Sequence, residues 1–140
     1  MLASDLYREE ILDHYQNPHN FGKLKDFDSH SHQTNPLCGD DISMWVRFDK
    51  NSLGGLAKPP PRWILKEVGF EGKGCAICLA GGSMLTDYAK GKSRKELTKF
   101  DELDMLELLG IELSETRKKC AMLSLAVLKE CLGYGIQSKG

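Results

Sequence analysis

The segment ISMWVRF, residues 42–48, decides how the first half of the chain folds. Every second residue of this segment is large and apolar: Ile42, Met44, Val46 and Phe48. They alternate with Ser43, Trp45 and Arg47. A period of two is typical of a β-strand that buries one of its faces. The segment therefore predicts a strand.

The sequence on either side of this strand predicts a small antiparallel sheet. Residues 63–70 read as another strand, which ends at the glycine-rich residues 71–74. Residues 50–62 contain Gly54-Gly55 and three consecutive prolines (59–61), so they predict an extended hairpin loop. The polar, histidine-bearing residues 20–34 leave room for one short strand upstream.

Helical patterns occupy the N-terminus and the second half of the chain. Tyr7, Ile11 and His14 or Tyr15 recur at helical spacing until Asn17-Pro18 ends the run. Further helices are predicted from Cys75 to Gly91, over residues 93–100, over residues 101–109, and from an N-cap at Ser114. The last helix has two adjacent apolar stripes and should be largely buried: Cys120, Leu123, Val127 and Cys131, beside Ala121, Leu125, Leu128 and Leu132.

This order of elements predicts the fold class and the domain organisation. Strands come early and most helices come late, so we expect an α+β fold with about three antiparallel strands and helices packed on one face. The 140 residues suffice for one compact domain, and we expect residues 1–140 to form it.

Composition excludes several classes of partner. The formal net charge is −1, which favours neither nucleic acid nor an anionic membrane. No stretch approaches the roughly 20 apolar residues of a membrane span, and the N-terminus lacks the pattern of a secretory signal. Five cysteines without such a signal predict reduced thiols and a cytoplasmic protein.

Three cysteines, Cys38, Cys75 and Cys120, stand in local contexts that favour metal binding or a reactive thiolate. Cys38 is followed by Gly39 and Asp40, and the glycine allows a thiol and a carboxylate to turn toward one point. Cys75 follows Gly72-Lys73-Gly74 at a helix start, where backbone N–H groups favour a thiolate. Incidental turn and packing cysteines are the competing interpretations. Three thiolates and one carboxylate would suit zinc or iron.

Cys120 follows Arg117, Lys118 and Lys119, whose positive charges favour a thiolate if they flank its sulfur. An ordinary solvated face with a core cysteine is the alternative.

The other two cysteines are interpreted as packing residues. Cys78 completes a CxxC with Cys75, for which a thioredoxin-like redox motif is the alternative, but no βαβ pattern frames it. Cys131 lies three turns beyond Cys120 on the same stripe and is expected in the core. The four histidines are expected in surface or packing roles: His14, His19, His30 and His32. For His30 and His32, an HxH metal pair is the alternative.

Five motifs in order make the chain resemble the U-type iron–sulfur assembly proteins, the IscU, SufU and NifU N-terminal families. They are residues 11–22 (ILDHYQNPHNFG), 35–40 (NPLCGD), 70–77 (FEGKGCAI), 90–92 (KGK) and 117–121 (RKKCA). The resemblance covers nearly the whole chain. It implies a SufE/IscU-like fold in which the three cysteines converge at one exposed end.

The resemblance also implies ligands and partners. Cys38, Asp40, Cys75 and Cys120 would bind zinc, or the iron of a nascent [2Fe–2S] cluster. Cys120 or Cys38 would accept persulfide sulfur from a cysteine desulfurase. Apo iron–sulfur acceptor proteins would receive the cluster.

Departures from the family pattern keep two functions open. IscU-type proteins have a histidine before the third cysteine, where this chain has Lys119. Arg117 and Lys119 instead resemble the SufU pattern, in which Arg117 would contact the desulfurase, yet the SufU insertion between the second and third cysteines has no counterpart. The Leu-Pro-Pro-Val-Lys segment that engages a dedicated chaperone is absent, since residues 114–117 (SETR) stand there. The resemblance therefore does not predict that chaperone as a partner.

The leading hypothesis is a scaffold that assembles a [2Fe–2S] cluster and passes it on. The alternative is a zinc-dependent sulfurtransferase that accepts persulfide and builds no cluster. A structural zinc module for protein interaction is the third hypothesis.

Overall fold

The computed structural model describes residues 3–36, 39–49 and 63–133. These residues form five helices and three strands, in the order α1 Ala3–Gln16, β1 Ser29–Asn35, β2 Asp40–Asp49, β3 Ile64–Lys73, α2 Ala76–Ala89, α3 Arg94–Lys99, α4 Glu102–Leu109 and α5 Glu115–Leu132. The predicted proline-rich loop (residues 50–62) lies outside the described residues.

The three strands form one antiparallel sheet in the order β1-β2-β3, as predicted. The central strand pairs Ser43 with His32 on one side and with Glu71 on the other. It begins at Asp40, two residues before the apolar alternation that predicted it. Asp40 therefore has the same parity as Ile42 and lies on the buried face of β2, because alternate residues of a strand share a face.

Trp45 lies on the outer face of the sheet, where it alternates along β2 with the apolar residues of the buried face. Trp45 is buried because the ring of His30 stacks on it, with 4.9 Å between ring centroids. On the free edge of β3, Gly22 N–H donates to Phe70 O at 2.8 Å and Phe70 N–H donates to Asn20 O at 2.9 Å. The segment after α1 therefore covers backbone groups that an edge strand would otherwise expose.

The two longest buried helices cover the other face of the sheet. α5 packs on β1 and β2, α2 packs on β3, and the two helices contact each other. Both predicted stripes of α5 are buried, from Cys120 to Leu132. α1 packs on α2, and α4 contacts both α2 and α5. The α+β prediction is thereby confirmed, and no described helix is long and apolar enough to cross a membrane.

Side-chain caps set the starts of the last three helices. Ser93 and Asp101 each form a capping box at the start of α3 and α4. Ser114 caps α5, where its hydroxyl accepts from the Arg117 N–H at 3.2 Å. These caps place Cys120 in the second turn of α5.

Gly82 allows α2 to approach the sheet closely, and this contact yields a test of the packing. A Cβ at Gly82 would lie 2.8–3.1 Å from three atoms of the buried Phe70 ring. Gly82→Ala is expected to lower the free energy of unfolding by about 1–2 kcal/mol, because overpacking costs about 1–3 kcal/mol and alanine's helix propensity returns up to about 1 kcal/mol. Urea denaturation measures the change.

Gly81→Ala is the matched control one residue away. The atom nearest to its Cβ would be the flexible end of Met105, at 3.4 Å, and the next, Ser124 Oγ and Ala121 O, would be at the ordinary contact distances of 3.7 and 3.8 Å. We expect unchanged or slightly higher stability for this variant. Equal stability of the two variants would contradict the close packing of α2 on Phe70.

Candidate metal centre

Asp40 is a buried carboxylate at the start of the central strand. Its side chain is 1% exposed. Oδ1 accepts a hydrogen bond from the Cys75 backbone N–H at 3.2 Å. Oδ2 is buried and has no hydrogen-bond partner among the described residues. A buried carboxylate oxygen without a partner is costly, so this atom is suited to a bound cation.

Cys75 is the N-cap of α2, in agreement with the predicted helix start. Its backbone is extended (φ −76°, ψ 170°), and its side chain makes no capping hydrogen bond. The residue is half-buried. Its sulfur therefore lies at the N-terminal end of α2, which is the positive end of the helix dipole.

Gly74 brings Asp40 and Cys75 together. Its φ is 156°, a value that residues with a side chain rarely adopt. A Cβ at this position would overlap Asp40 Oδ1 and lie 2.9 Å from Asp40 Cγ. The glycine therefore leaves the space that the Asp40 carboxylate occupies.

Cys120 completes the group from the other helix. It lies on the buried stripe of α5 and is 3% exposed. A carboxylate oxygen of Asp40, Cys75 Sγ and Cys120 Sγ all lie within 4.8 Å of one another. Two sulfurs and one carboxylate oxygen at this spacing fit zinc or iron, and the unpartnered Oδ2 fits the same use. The structure thus brings together three of the four predicted ligands.

Cys38 lies outside the described residues, so its place as the fourth ligand stays a prediction. The turn that follows it is described. Gly39 has a φ of 73°, and its N–H donates to Asn35 O at 2.8 Å. The predicted glycine turn before Asp40 is therefore present.

The cations before Cys120 lie at the surface. Arg117 and Lys119 are exposed, and Lys118 pairs with Glu115 at 3.2 Å. Lys118 and Lys119 line a groove together with Asn35 and Met122. The groove therefore joins the start of α5 to the end of β1.

The two cysteines predicted to pack do so. Cys78 is fully buried in the hydrophobic core. Cys131 is fully buried, and its Sγ donates to Met44 O at 3.5 Å. Burial, with the neighbouring Glu130 charge, raises the pKa of the Cys131 thiol to about 12. No disulfide involves the described cysteines, which are Cys75, Cys78, Cys120 and Cys131.

The histidines divide into two groups. His30 stacks on Trp45, and the exposed His32 pairs with Asp41 at 2.9 Å, so both have the predicted surface or packing roles. His14 and His19 instead lie beside Asp87, where the three offer ligand atoms within 4.8 Å of one another. No sequence pattern indicates this second group, because Asp87 is 68 residues from His19.

A family described as NifU-like N terminal domain matches residues 6–135 of this chain. The chain belongs to this family. The match spans the three described candidate ligands, Asp40, Cys75 and Cys120, and also Cys38. It confirms the resemblance that the five motifs indicated.

Named relatives of this NifU-like domain divide between the two functions that the sequence left open. The iron–sulfur cluster assembly scaffold protein IscU 1 of Archaeoglobus fulgidus is 30% identical over 127 residues, covering 91% of this chain and 74% of the relative. The zinc-dependent sulfurtransferase SufU of Bacillus subtilis is 32% identical over 142 residues, covering 89% of this chain and 88% of the relative.

A solved structure shares the fold of the NifU-like domain. The N-terminal part of a nitrogen-fixing NifU-like protein from Brucella abortus superposes with a TM-score of 0.70. The alignment covers 98% of each chain at 18% sequence identity. This likeness concerns the fold alone.

Proposed function

We propose that the protein is a scaffold for iron–sulfur cluster assembly. It binds iron together with sulfur from a cysteine desulfurase, assembles a [2Fe–2S] cluster, and passes the cluster to apo acceptor proteins. One observation carries the proposal: Asp40, Cys75 and Cys120, from three different elements, present their ligand atoms within 4.8 Å of one another. The scaffold relatives of the family support it.

The ligand chemistry suits a cargo that must be both held and released. Cys75, Cys120 and Cys38 would supply soft thiolates, which bind iron strongly. Asp40 would supply a harder and more weakly held oxygen. Replacement of the scaffold's ligands by those of an acceptor would begin at this oxygen. Cys75 is half-buried whereas Asp40 and Cys120 are buried, so an acceptor would approach from the Cys75 side.

Sulfur delivery requires a thiolate that attacks a persulfide. Cys120 and Cys38 are the candidate acceptors. The acceptor thiolate attacks the outer sulfur of the desulfurase persulfide, the S–S bond breaks, and the desulfurase cysteine leaves as a thiolate. Exposed Arg117 would contact the desulfurase, and Lys119 would tune the site through charge, since its ammonium has no lone pair for a metal.

A zinc-dependent sulfurtransferase is the second candidate function. The Arg117–Lys119–Cys120 pattern and the 32% identical SufU relative favour it. The same four ligands would then hold zinc in the cluster-free protein. One cysteine would leave the metal to take up persulfide sulfur, and no cluster would form.

Anaerobic reconstitution with ferrous iron, cysteine, a cysteine desulfurase and excess dithiothreitol, which supplies the remaining electrons that reduce persulfide sulfur to sulfide, separates the two functions. The scaffold predicts a stable visible chromophore with equal amounts of iron and acid-labile sulfide, because three thiolates and a carboxylate complete the coordination of a cluster. A colourless protein that retains zinc and stimulates desulfurase turnover would contradict the scaffold and support the transferase.

Chelation tests the third possibility, a structural zinc module. Structural zinc supplies folding free energy directly, so its removal unfolds the domain. Here the described residues already bury a continuous apolar core between the sheet and α2 and α5. We expect the chelated protein to keep its helical circular dichroism, and unfolding on chelation would support the structural module instead.

A further inference from the structure

We propose that His14, His19 and Asp87 form a second binding site, for a divalent transition-metal ion. The site shares no residue with the cysteine centre and does not depend on the function proposed for that centre. It lies where the end of α1, the turn after it and α2 meet. All three side chains offer ligand atoms within 4.8 Å of one another.

The geometry of the three donors is compact. His19 Nδ1 lies 2.5 Å from Asp87 Oδ2, and the His14 and His19 rings are 4.5 Å apart between centroids. Two imidazoles this close repel if both are protonated, whereas a single cation attracts both. A metal ion bound here would replace the contact between His19 Nδ1 and Asp87 Oδ2 with a coordination bond to each atom.

Hydrogen bonds from neighbouring residues hold the donors in place. His14 Nδ1 lies 2.6 Å from Ser83 Oγ, which also accepts from the His19 backbone N–H at 2.8 Å. When His14 Nδ1 carries the proton and donates to Ser83, Nε2 keeps its lone pair for a metal. Metal-binding histidines commonly donate their other ring N–H in this way.

The carboxylate is oriented and ionised. Asn20 Nδ2 donates to Asp87 Oδ1 at 3.0 Å, which leaves Oδ2 on the side of His19. Partial burial raises the pKa of Asp87, but the hydrogen bonds from His19 and Asn20 outweigh it, so the pKa is lowered overall. Asp87 therefore offers an ionised carboxylate at neutral pH.

This donor set selects a class of ion. Two imidazole nitrogens and one carboxylate oxygen suit Zn²⁺, Fe²⁺, Co²⁺ or Ni²⁺, whereas Mg²⁺ and Ca²⁺ prefer oxygen ligands. The His19 and Asp87 side chains are 48% and 42% exposed. Water can therefore occupy the remaining coordination positions, and an ion can enter from solvent.

Titration of the full chain with Co²⁺, followed by NMR, tests this site. A paramagnetic ion shifts the NMR signals of nearby nuclei. The shifted signals therefore show where the ion is bound, even if the cysteines also bind Co²⁺. We expect shifted signals from His14, His19, Ser83 and Asp87. In His19→Gln the apparent dissociation constant for this set should rise at least tenfold.

His32→Gln is the matched control, because His32 is another exposed histidine in a carboxylate pair, with Asp41. We expect it to bind Co²⁺ at the second site like the wild type, and both variants to keep wild-type backbone spectra without metal. Absence of shifts around His19, unchanged affinity in His19→Gln, or equal weakening in His32→Gln would overturn the proposal.

Discussion

Asp40→Ala is expected to lengthen the lifetime of the bound cluster by about tenfold, which corresponds to about 1.4 kcal/mol in the barrier to release. As a cluster ligand, Asp40 would add a carboxylate beside two thiolates, so its removal lowers the repulsion among anionic ligands. It also removes the weakly held oxygen at which an incoming thiolate from an acceptor displaces a ligand. The measurement is the rate of cluster transfer to an apo acceptor, followed by visible absorption.

Asp41→Ala is the matched control for this variant. Asp41 is the next residue of β2, lies on the other face of the strand and pairs with the exposed His32. We expect its cluster to leave at the wild-type rate. A cluster that leaves Asp40→Ala faster than it leaves the wild type would contradict the role proposed for Asp40.

Gly74→Ala is expected to lower the affinity for one equivalent of zinc at least tenfold, or about 1.4 kcal/mol or more. The added methyl group would overlap the Asp40 carboxylate, and the backbone φ of 156° would be strained. The carboxylate must therefore move out of the position from which it reaches the sulfurs. Competition with a chromophoric chelator measures the affinity.

The double variant Gly74→Ala/Asp40→Ala separates the effect of the overlap with the Asp40 carboxylate from the effect of backbone strain at residue 74. Removing the Asp40 carboxylate relieves the overlap but leaves the backbone strain. The stability cost of Gly74→Ala, about 1–3 kcal/mol for such crowding, should therefore shrink in the Asp40→Ala background. An equal cost in both backgrounds would contradict the contact between Gly74 and Asp40.

Much of the fold was predictable because its signals are local. The alternation in residues 42–48 reports which strand face is buried, and Ser93 and Ser114 mark helix starts through hydrogen bonds to residues three positions on. The last helix was recognisable as buried from its two apolar stripes. Each of these features depends on neighbours within a few residues.

The centre was predictable only in part, because it depends on contacts between distant segments. Residue patterns selected Asp40, Cys75 and Cys120, but the hydrogen bond from the Cys75 N–H to Asp40 spans 35 residues. The close approach of Gly74 to Asp40 has no sequence pattern of its own. Family resemblance supplied the convergence that spacing alone did not.

The group around His19 shows the same limit more strongly. His14 lies in the last turn of α1 and His19 in the turn that follows it, and the sequence there predicts only surface or packing roles. Their neighbours Ser83 and Asp87 come from one face of α2, separated by four residues and hence by about one turn. Only the packing of α1 on α2 brings these side chains together.

Zinc X-ray absorption on the protein with one bound equivalent tests the central claim most directly. The proposed centre predicts three sulfur ligands at about 2.3 Å and one oxygen at about 2.0–2.2 Å. Cys75→Ser and Cys120→Ser should each remove one sulfur, whereas the control Cys131→Ala should remove none. A coordination shell of nitrogen and oxygen alone, or a sulfur count unchanged in both serine variants, would contradict the claim.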